Sequence, residues 1–166
     1  MRIRHSPIRG LYSASIMEMT QYSRGNLAAV LRQHGINPTH QRIEIAHALY
    51  ARNEHLSADQ VLALVNEEHP ETSRATVYNT LNLFVQKGLI REVIVDPSKV
   101  FYDPNTQPHY HIYDVRTGHL ADIDADCVSV TGLPDLPPGM VTEGVDIILR
   151  VRSAAPDVET GADSLA

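Results

Sequence analysis

The chain has 166 residues, of which 43% are hydrophobic and 20% are charged, as expected of a globular protein with one or two small domains. No apolar run approaches the roughly 20 residues needed to span a bilayer, and the N-terminus lacks the apolar stretch of a signal peptide. The single cysteine, Cys127, excludes an intrachain disulfide and any zinc site built from two or more cysteines, and fits a reducing cytoplasm.

The net charge of −6 is unevenly distributed along the chain. Residues 1–104 hold 11 basic and 10 acidic residues, whereas residues 105–166 hold 3 basic and 10 acidic ones. The first part can therefore face a polyanion, while the second part repels it. Because the first part is only weakly basic, affinity for nucleic acid would depend on symmetry and a few well-placed contacts.

Residues 1–22 are predicted to be a leader that is either disordered or helical. The alternative interpretation is a basic arm that binds DNA. Three short amphipathic helices are predicted to follow, from Arg24 to His34, from Pro38 to about Ala51, and from Ser57, as the N-cap, to about Glu68. Their inward-facing residues are predicted to be Leu27, Val30, Leu31, Ile43, Ala46, Leu49 or Tyr50, Val61, Leu62, Leu64 and Val65.

A fourth helix is predicted between Ser73, a plausible N-cap, and Gly88, a plausible stop. It has one apolar face and one polar face, and the polar face carries Arg74, Asn79, Asn82 and Gln86, with the Tyr78 hydroxyl beside it. Thr76 of the same helix is a further candidate DNA contact. Arginine and asparagine read base edges in a major groove, whereas tyrosine and threonine commonly hold phosphates. An ordinary amphipathic surface helix is the alternative interpretation.

The position of this helix favours DNA binding. Two strands are predicted directly after it, from Leu89 to Val95 and from Lys99 to Asp103, joined by a turn at 96–98. Several short helices followed by a hairpin indicate a winged helix-turn-helix, with the fourth helix in the groove. This domain is predicted over residues 23–104, and residues 104–108 form a polar linker.

Beyond the linker, residues 109–152 are predicted to form a small second domain built on a sheet, so that the fold class is α+β. A second hairpin is expected from His109 to Val115 and from His119 to Ile123. Residues 127–130 either extend this hairpin or begin a third strand, and a final strand is expected over 145–152. No long helix is expected in the Pro- and Gly-rich segment 132–139. An open sheet edge invites pairing with a second copy, which predicts a homodimer, or a tetramer; residues 153–166 are a predicted flexible tail.

The sequence also predicts a metal site between the two parts. His109 and His111 lie two apart in a strand, so their rings point to the same face. Asp103 lies just before the linker, and Asp122 lies on the strand that is expected to pair with the strand of His109 and His111. His55 is expected at the start of the third helix. Three histidines with two carboxylates suit Fe(II) or Mn(II).

At this point the sequence resembles the ferric uptake regulator (Fur) family over about residues 24–152. The resemblance is carried by residues 35–42 (GINPTHQR), 55–59 (HLSAD), 74–81 (RATVYNTL) and 109–111 (HYH). It implies a winged helix, a C-terminal α/β dimerisation domain, and metal-dependent binding to palindromic operator DNA. It also implies that the interdomain ligands are His55, Asp103, His109, His111 and Asp122. The implied DNA contacts are Ala75, Tyr78 and Asn79 to bases and Arg42 to the backbone.

Some family features are absent from this chain. Asp114 and Thr117 stand where members usually have the cysteines of a structural zinc site, so no such zinc is expected. Pro108 and Tyr110 stand where members have ligands of a second metal site in the dimerisation domain, so that site is not expected in this chain. The chain is most similar to the iron response regulator branch, which implies release of DNA when iron or haem is present. No Cys-Pro haem motif occurs here, so His109 or His111 would be the axial haem ligand.

The sequence leaves four functional hypotheses. The first is a metal- or haem-responsive transcriptional regulator of iron homeostasis that binds palindromic DNA as a dimer. The second is a peroxide sensor of the same family, using Fe or Mn. A small non-haem metalloenzyme is the third, although no further cluster of acid, base or nucleophile accompanies the ligand set. The fourth is a winged helix that binds proteins rather than DNA.

Overall fold

The computed structural model describes residues 22–52, 54–68 and 70–152 of the chain. The leader, except for Tyr22, and the tail lie outside the described residues. The described helices and strands are α1 (Arg24–Gln33), α2 (His40–Tyr50), α3 (Ala58–Glu68), α4 (Arg74–Gln86), β1 (Arg91–Asp96), β2 (Lys99–Asp103), β3 (His109–Asp114), β4 (Leu120–Asp124) and β5 (Ile148–Val151).

The four helices start where the sequence supplies an N-cap. The hydroxyls of Ser23, Thr39, Ser57 and Ser73 each accept a hydrogen bond from a backbone N–H of the first turn. At the start of α3 the bond is reciprocal, because the Gln60 side chain accepts from the Ser57 N–H at 2.8 Å. Gly88 follows α4 with a φ of 65°, a left-handed conformation that glycine adopts without strain.

The first apolar core lies among the four helices and the start of the wing. It contains Leu31, Leu49, Val61, Leu81 and Phe84, each of which has 0% of its surface exposed. Most of the predicted inward positions are buried in this core, but Val30, Ile43, Leu62 and Leu64 are only half-buried and pack against it. In α2 one buried apolar residue was not predicted. Ile45 is fully buried there, whereas Ile43 is only half-buried.

Strands β1 and β2 form an antiparallel two-stranded hairpin, which is the predicted wing. The turn is held by the Asp96 carboxylate, which accepts the Ser98 backbone N–H at 2.8 Å. Four helices followed by this hairpin make up the N-terminal winged-helix part of an α+β fold, as the sequence predicts.

A three-stranded sheet follows the linker, in the order β4-β3-β5. Strands β3 and β4 are antiparallel, and β5 pairs with β3 in parallel. The prediction for residues 127–130 is wrong: none of the described strands includes them, and Cys127 is the last residue of a short 3-10 helix, Ala125–Cys127. The described residues contain no helix between this turn and β5, in agreement with the Pro- and Gly-rich sequence there.

A second apolar cluster joins the wing to this sheet. Val93, Val95 and Phe101 of the wing pack with Tyr113 and Leu120 of the sheet, and Ile148 covers the edge of the cluster. Lys99 extends the contact, because its Nζ donates to the Tyr113 hydroxyl at 2.7 Å. The wing therefore contacts the helical core through Tyr102 and the C-terminal sheet through the residues of this second cluster.

Candidate metal centre and DNA-binding surface

A short backbone pairing brings the first two candidate ligands together. Leu56 pairs with Tyr102 of β2, with N···O distances of 2.8 and 3.3 Å between their backbones. This pairing places the preceding His55 beside the following Asp103. His55 therefore lies on an extended segment that pairs with the wing, and not on α3 as the sequence predicts.

The remaining three candidate ligands come from the C-terminal sheet. His109 and His111 alternate with Tyr110 on β3, and both are buried, at 7% and 3% exposure. Asp122 is the direct cross-strand partner of His111 on β4. Because alternate residues of a strand share a face, the two imidazoles and this carboxylate converge beneath the linker.

The structure brings all five predicted ligands into one cluster, whose candidate ligand atoms lie within 4.8 Å of one another. Asp103 Oδ2 is 3.0 Å from His109 Nε2 and 3.6 Å from both His55 Nε2 and His111 Nε2. Asp122 Oδ1 is 2.9 Å from His55 Nε2 and 3.4 Å from His109 Nε2. The Nε2 atoms of His109 and His111 are 3.0 Å apart.

These spacings fit a shared cation. Ligand atoms at 2.0–2.2 Å from an ion and at right angles to each other lie about 3 Å apart, which matches the shorter distances in the cluster. In addition, His55 Nε2 and Asp122 Oδ1 are buried without a well-directed hydrogen bond to any described residue. Imidazole nitrogens and carboxylate oxygens together suit Fe(II), Mn(II) or Zn(II).

The electrostatics of the cluster are strongly coupled. Burial disfavours the charged form of His55, but its contacts with Asp103 and Asp122 outweigh this effect and raise its pKa to about 9. Burial also acts against ionised Asp103 and Asp122, yet the neighbouring histidines hold the pKa of both carboxyls below the ordinary value. Burial lowers the pKa of His111 despite an opposing contact with Asp103.

Two residues of the cluster were not singled out from the sequence. Arg91 begins β1 opposite Asp103, and its Nε donates to Asp103 Oδ2 at 3.0 Å. Asn105 of the linker donates its backbone N–H to Asp103 Oδ1 at 2.7 Å and its side-chain Nδ2 to Asp122 Oδ2 at 3.1 Å. Extending the strand pairing from the turn at 96–98 could have placed Arg91 opposite Asp103 from the sequence alone. No sequence signal marks Asn105.

The predicted DNA contacts lie mainly on the outer face of α4. Arg74, Ala75, Tyr78 and Asn79 are exposed there, and Arg74 forms an ion pair of 3.1 Å with Asp59. Thr76 is half-buried, and its hydroxyl is hydrogen-bonded to the N-cap Ser73 at 2.9 Å. Arg42 lies on α2, where it donates to the Asn37 carbonyl at 3.0 Å. The exposed residues of α4 thus share one surface.

Two cavities among the described residues do not involve the two histidines proposed as haem ligands. One lies between α3, α4 and the wing, and is lined by Tyr78 and Glu92 among others. The other lies between α2 and α3, beside Glu44. Neither cavity is lined by His109 or His111, so neither supports the predicted haem ligation by these histidines.

Within the described part of the chain, no helix is both long and apolar enough to cross a membrane. Residues 33–132 match the family model described as the ferric uptake regulator family. Among curated proteins, the peroxide-responsive repressor PerR of Staphylococcus aureus strain Mu50 is 33% identical over 106 residues, which cover 64% of this chain and 72% of that protein.

Solved structures of the same family share the fold. The Vibrio cholerae ferric uptake regulator superposes with a TM-score of 0.61 at 20% identity, covering 76% of this chain and 99% of the other. The Pseudomonas aeruginosa ferric uptake regulator, solved with manganese, gives a TM-score of 0.57 at 23% identity, covering 76% and 97%. Family model, curated relative and fold agree, and the chain belongs to the ferric uptake regulator family of transcriptional regulators.

Proposed function

We propose that the protein is a cytoplasmic, dimeric, metal-responsive transcriptional regulator that binds palindromic operator DNA, with Fe(II) or Mn(II) as its effector. One observation carries the proposal: five side chains with metal-binding chemistry converge from both sides of the linker. His55 and Asp103 belong to the winged-helix part, and His109, His111 and Asp122 belong to the sheet. The proposed domains remain residues 23–104 and 109–152.

The five residues are suited to control the angle between the two parts. When bound, a divalent ion supplies coordination bonds and two positive charges to a cluster that holds two carboxylates. Asp103 terminates the wing, and the buried rings of His109 and His111 are fixed on β3. The side chains therefore tie the wing to the sheet, and in a dimer this angle sets the spacing of the two α4 helices along DNA.

The exposed face of α4 supplies the DNA contacts in this proposal. Arg74 and Asn79 have the donors and acceptors that read base edges, and Ala75 and Tyr78 contribute apolar and hydroxyl contacts beside them. Arg42 contacts the phosphate backbone. The alternative of a protein-binding winged helix makes a clear contrast, because it predicts that substitution of Tyr78 or Asn79 leaves DNA binding unchanged.

The test measures metal and DNA binding in the same variants. His109→Ala removes a buried candidate ligand, and His119→Ala removes an exposed histidine from the turn between β3 and β4 as a matched control. Mn(II) affinity is measured by titration calorimetry, and DNA affinity by fluorescence anisotropy at fixed salt on a duplex that the protein itself selects from a random pool. We expect His109→Ala to weaken Mn(II) binding at least tenfold and to alter the metal dependence of DNA binding, with no change in His119→Ala.

Metal and DNA binding should be thermodynamically linked. If metal changes DNA affinity by a given factor, DNA must change metal affinity by the same factor, whichever state the metal favours. Equal DNA affinity in metal-saturated and chelated protein would contradict the proposed control, even if DNA binding itself were confirmed. An increase in DNA affinity on addition of metal would indicate metal-dependent binding, whereas a decrease would indicate release of DNA in the presence of iron.

A second candidate function is peroxide sensing, which is supported by the similarity to the peroxide-responsive repressor of S. aureus. The five-residue cluster contains no cysteine, so oxidation there would modify a histidine ring. We expect Fe(II)-containing protein treated with hydrogen peroxide to gain one oxygen atom on His55 or His109, as measured by peptide mass spectrometry. Protein prepared with redox-inactive Zn(II) serves as the control. An unmodified iron-containing protein would rule this function out.

The relatives are transcriptional regulators, so the metalloenzyme hypothesis is not retained. Regulation of iron homeostasis remains the expected physiological role for an Fe(II) response. It is tested by comparing DNA affinity in protein reconstituted with Fe(II) and with Mn(II). Equal DNA affinities with the two ions would mean that the ion available in the cell, and not the selectivity of the site, determines the response.

A further inference from the structure

The guanidinium group of Arg91 occupies part of the five-residue cluster. Besides its bond to Asp103, its Nη2 lies 2.8 Å from His109 Nε2 and 3.3 Å from His111 Nε2. The side chain has 26% of its surface exposed, so it lies at the solvent edge of the cluster. One cationic group thus contacts three of the five side chains that could hold a metal ion.

The orientation of the His109 ring shows that this contact competes with coordination. His109 Nδ1 is 2.7 Å from the Gln107 carbonyl oxygen, which can only accept, so Nδ1 carries the ring hydrogen. In the neutral ring Nε2 then holds a single lone pair, and an Arg91 N–H is placed to donate to it. Because a metal ion needs that same lone pair, His109 cannot bind both partners through it.

Charge adds to this competition. Asp103 and Asp122 attract any cation, and Arg91 supplies a permanent positive charge at the cluster. An ion bound by these ligands would lie close to the guanidinium, and like charges at such separations repel strongly when partly buried. Coordination therefore requires Arg91 to withdraw toward solvent, which its partial exposure allows.

We propose that Arg91 is a built-in competitor for the metal site, which occupies the lone pair of His109 when metal is absent and lowers the affinity of the cluster for divalent cations. The inference rests on the proposed metal-binding function of this cluster. Arg91 begins the wing and His109 lies beyond the linker, so the contact also joins the two parts without metal. Arg91 and a bound metal ion are then alternative links between the wing and the sheet.

The decisive variant is Arg91→Gln, which removes the charge and keeps a polar side chain of intermediate length. Arg116→Gln, in the exposed β3–β4 turn, is the matched control for the change in net charge. Binding of Mn(II) alone is measured by titration calorimetry on the full chain, with circular dichroism to verify folding. We expect Arg91→Gln to bind Mn(II) at least tenfold more tightly than the wild type and Arg116→Gln to match the wild type.

Other outcomes separate this inference from the proposed function. If the wild type binds Mn(II) in a His109-dependent manner and Arg91→Gln has equal or weaker affinity, the inference is overturned while the metal site stands. If neither wild type nor Arg91→Gln binds Mn(II), Co(II) or Zn(II), both fail.

A second measurement on the wild type avoids any dependence on the folding of the variant. The Arg91 Nε–H resonance, assigned by its loss in Arg91→Lys or by sequential NMR experiments, should be protected from exchange in metal-free protein because it donates to Asp103. Addition of diamagnetic Zn(II) should shift this resonance and increase its exchange with water. An unchanged, protected resonance in zinc-saturated protein would overturn the inference.

Discussion

At the residue scale, Asn105 connects the linker to the cluster. Its backbone N–H and its side chain donate to two different carboxylates, Asp103 and Asp122, one from each part of the chain. Groups that hydrogen-bond to ligating carboxylates fix their orientation, and their loss typically lowers metal affinity by about 10- to 100-fold. Asn105 is therefore a positioning residue for the proposed site.

We predict that Asn105→Ala weakens Mn(II) binding by about 10- to 100-fold, the range typical for loss of such a supporting hydrogen bond. The substitution leaves the backbone N–H to Asp103 intact, and removes the donor to Asp122 together with the side-chain oxygen that accepts the Gln107 backbone N–H at 3.2 Å. Gln107→Ala, an exposed neighbour whose backbone carbonyl to His109 is retained, is the control. Calorimetric titration with Mn(II) provides the comparison, and equal affinities in all three proteins would contradict the assigned role.

A second prediction concerns Tyr50, whose hydroxyl donates to the Leu89 carbonyl at 2.8 Å. Tyr50→Phe should lower the free energy of unfolding by about 1 kcal/mol, the net contribution of such a hydrogen bond. Burial raises the pKa of Tyr50 to about 12, above its ordinary value of 10. The folded state thus favours the protonated form, and this contribution is complete below pH 10 and is lost as the pH rises toward 12.

Urea unfolding of Tyr50→Phe and wild type at several pH values tests both parts of this prediction. The variant should be less stable near neutral pH and should lose less stability between pH 10 and 12. A profile in that range as steep as that of the wild type would show that Tyr50 is not the group responsible.

At the scale of the element, helix α4 depends on its first turn. The Ser73 hydroxyl accepts the Thr76 N–H at 3.1 Å and lies 2.9 Å from the Thr76 hydroxyl. The same turn carries Arg74 and Ala75, two of the proposed DNA contacts. Fraying of this turn would therefore affect both stability and DNA recognition.

We predict that Ser73→Ala destabilises the protein by about 1 kcal/mol, as is typical for loss of an N-cap. It should also weaken DNA binding, because the backbone bearing Arg74 becomes less ordered. Ser129→Ala, at an exposed position after the 3-10 helix, is the control. Chemical denaturation and fluorescence anisotropy measure the two effects, and a loss of DNA affinity without loss of stability would indicate that Ser73 contacts DNA directly.

The elements were predictable where local chemistry defines them. Ser73 and Gly88 mark the two ends of α4, and Asp96 with Pro97 marks the turn of the wing, because caps and turns act within a few residues. The pairing of His109 with His111 follows from the two-residue period of a strand. His55 is included among the predicted ligands because of its expected place at the start of the third helix, which periodicity alone does not indicate, and the resemblance to a known family implies the same assignment.

Long-range features were not predictable in the same way. The Leu56–Tyr102 pairing, which moves His55 off α3, joins segments far apart in the chain. The packing of Phe101 on Tyr113 likewise depends on how two separately predicted parts meet, which neither hydrophobic pattern specifies. The strand predicted for residues 127–130 is not formed, since Cys127 ends a 3-10 helix.

At the scale of the whole molecule, the C-terminal sheet is incomplete on its own. Strand β5 pairs with β3 on one side only, and no described strand pairs with its other side. The segment before β5 exposes large apolar side chains, including Met140 at 64% and Val141 at 83% exposure. Exposed apolar groups beside an open sheet edge favour association with a second copy.

We predict that the protein sediments as a dimer of its 18.4 kDa chain, and that a Met140→Asp, Val141→Asp double variant sediments as a monomer. Burying two new carboxylates in an apolar interface is unfavourable. Ile94→Asp, which replaces an apolar residue of 59% exposure on the wing, should remain dimeric. Analytical ultracentrifugation over a range of concentrations distinguishes these states, and a dimeric double variant would place the interface elsewhere.

The apolar cluster between wing and sheet limits how far any effector can act. Rotating one part against the other would separate Val95 and Phe101 from Tyr113 and Leu120 and expose their surfaces to water. A ligand shifts such an equilibrium only by its difference in affinity for the two arrangements. The arrangement in which these side chains are packed together is consequently favoured even without an effector. Apolar contacts that do not touch the effector therefore limit how far effector binding can change DNA affinity.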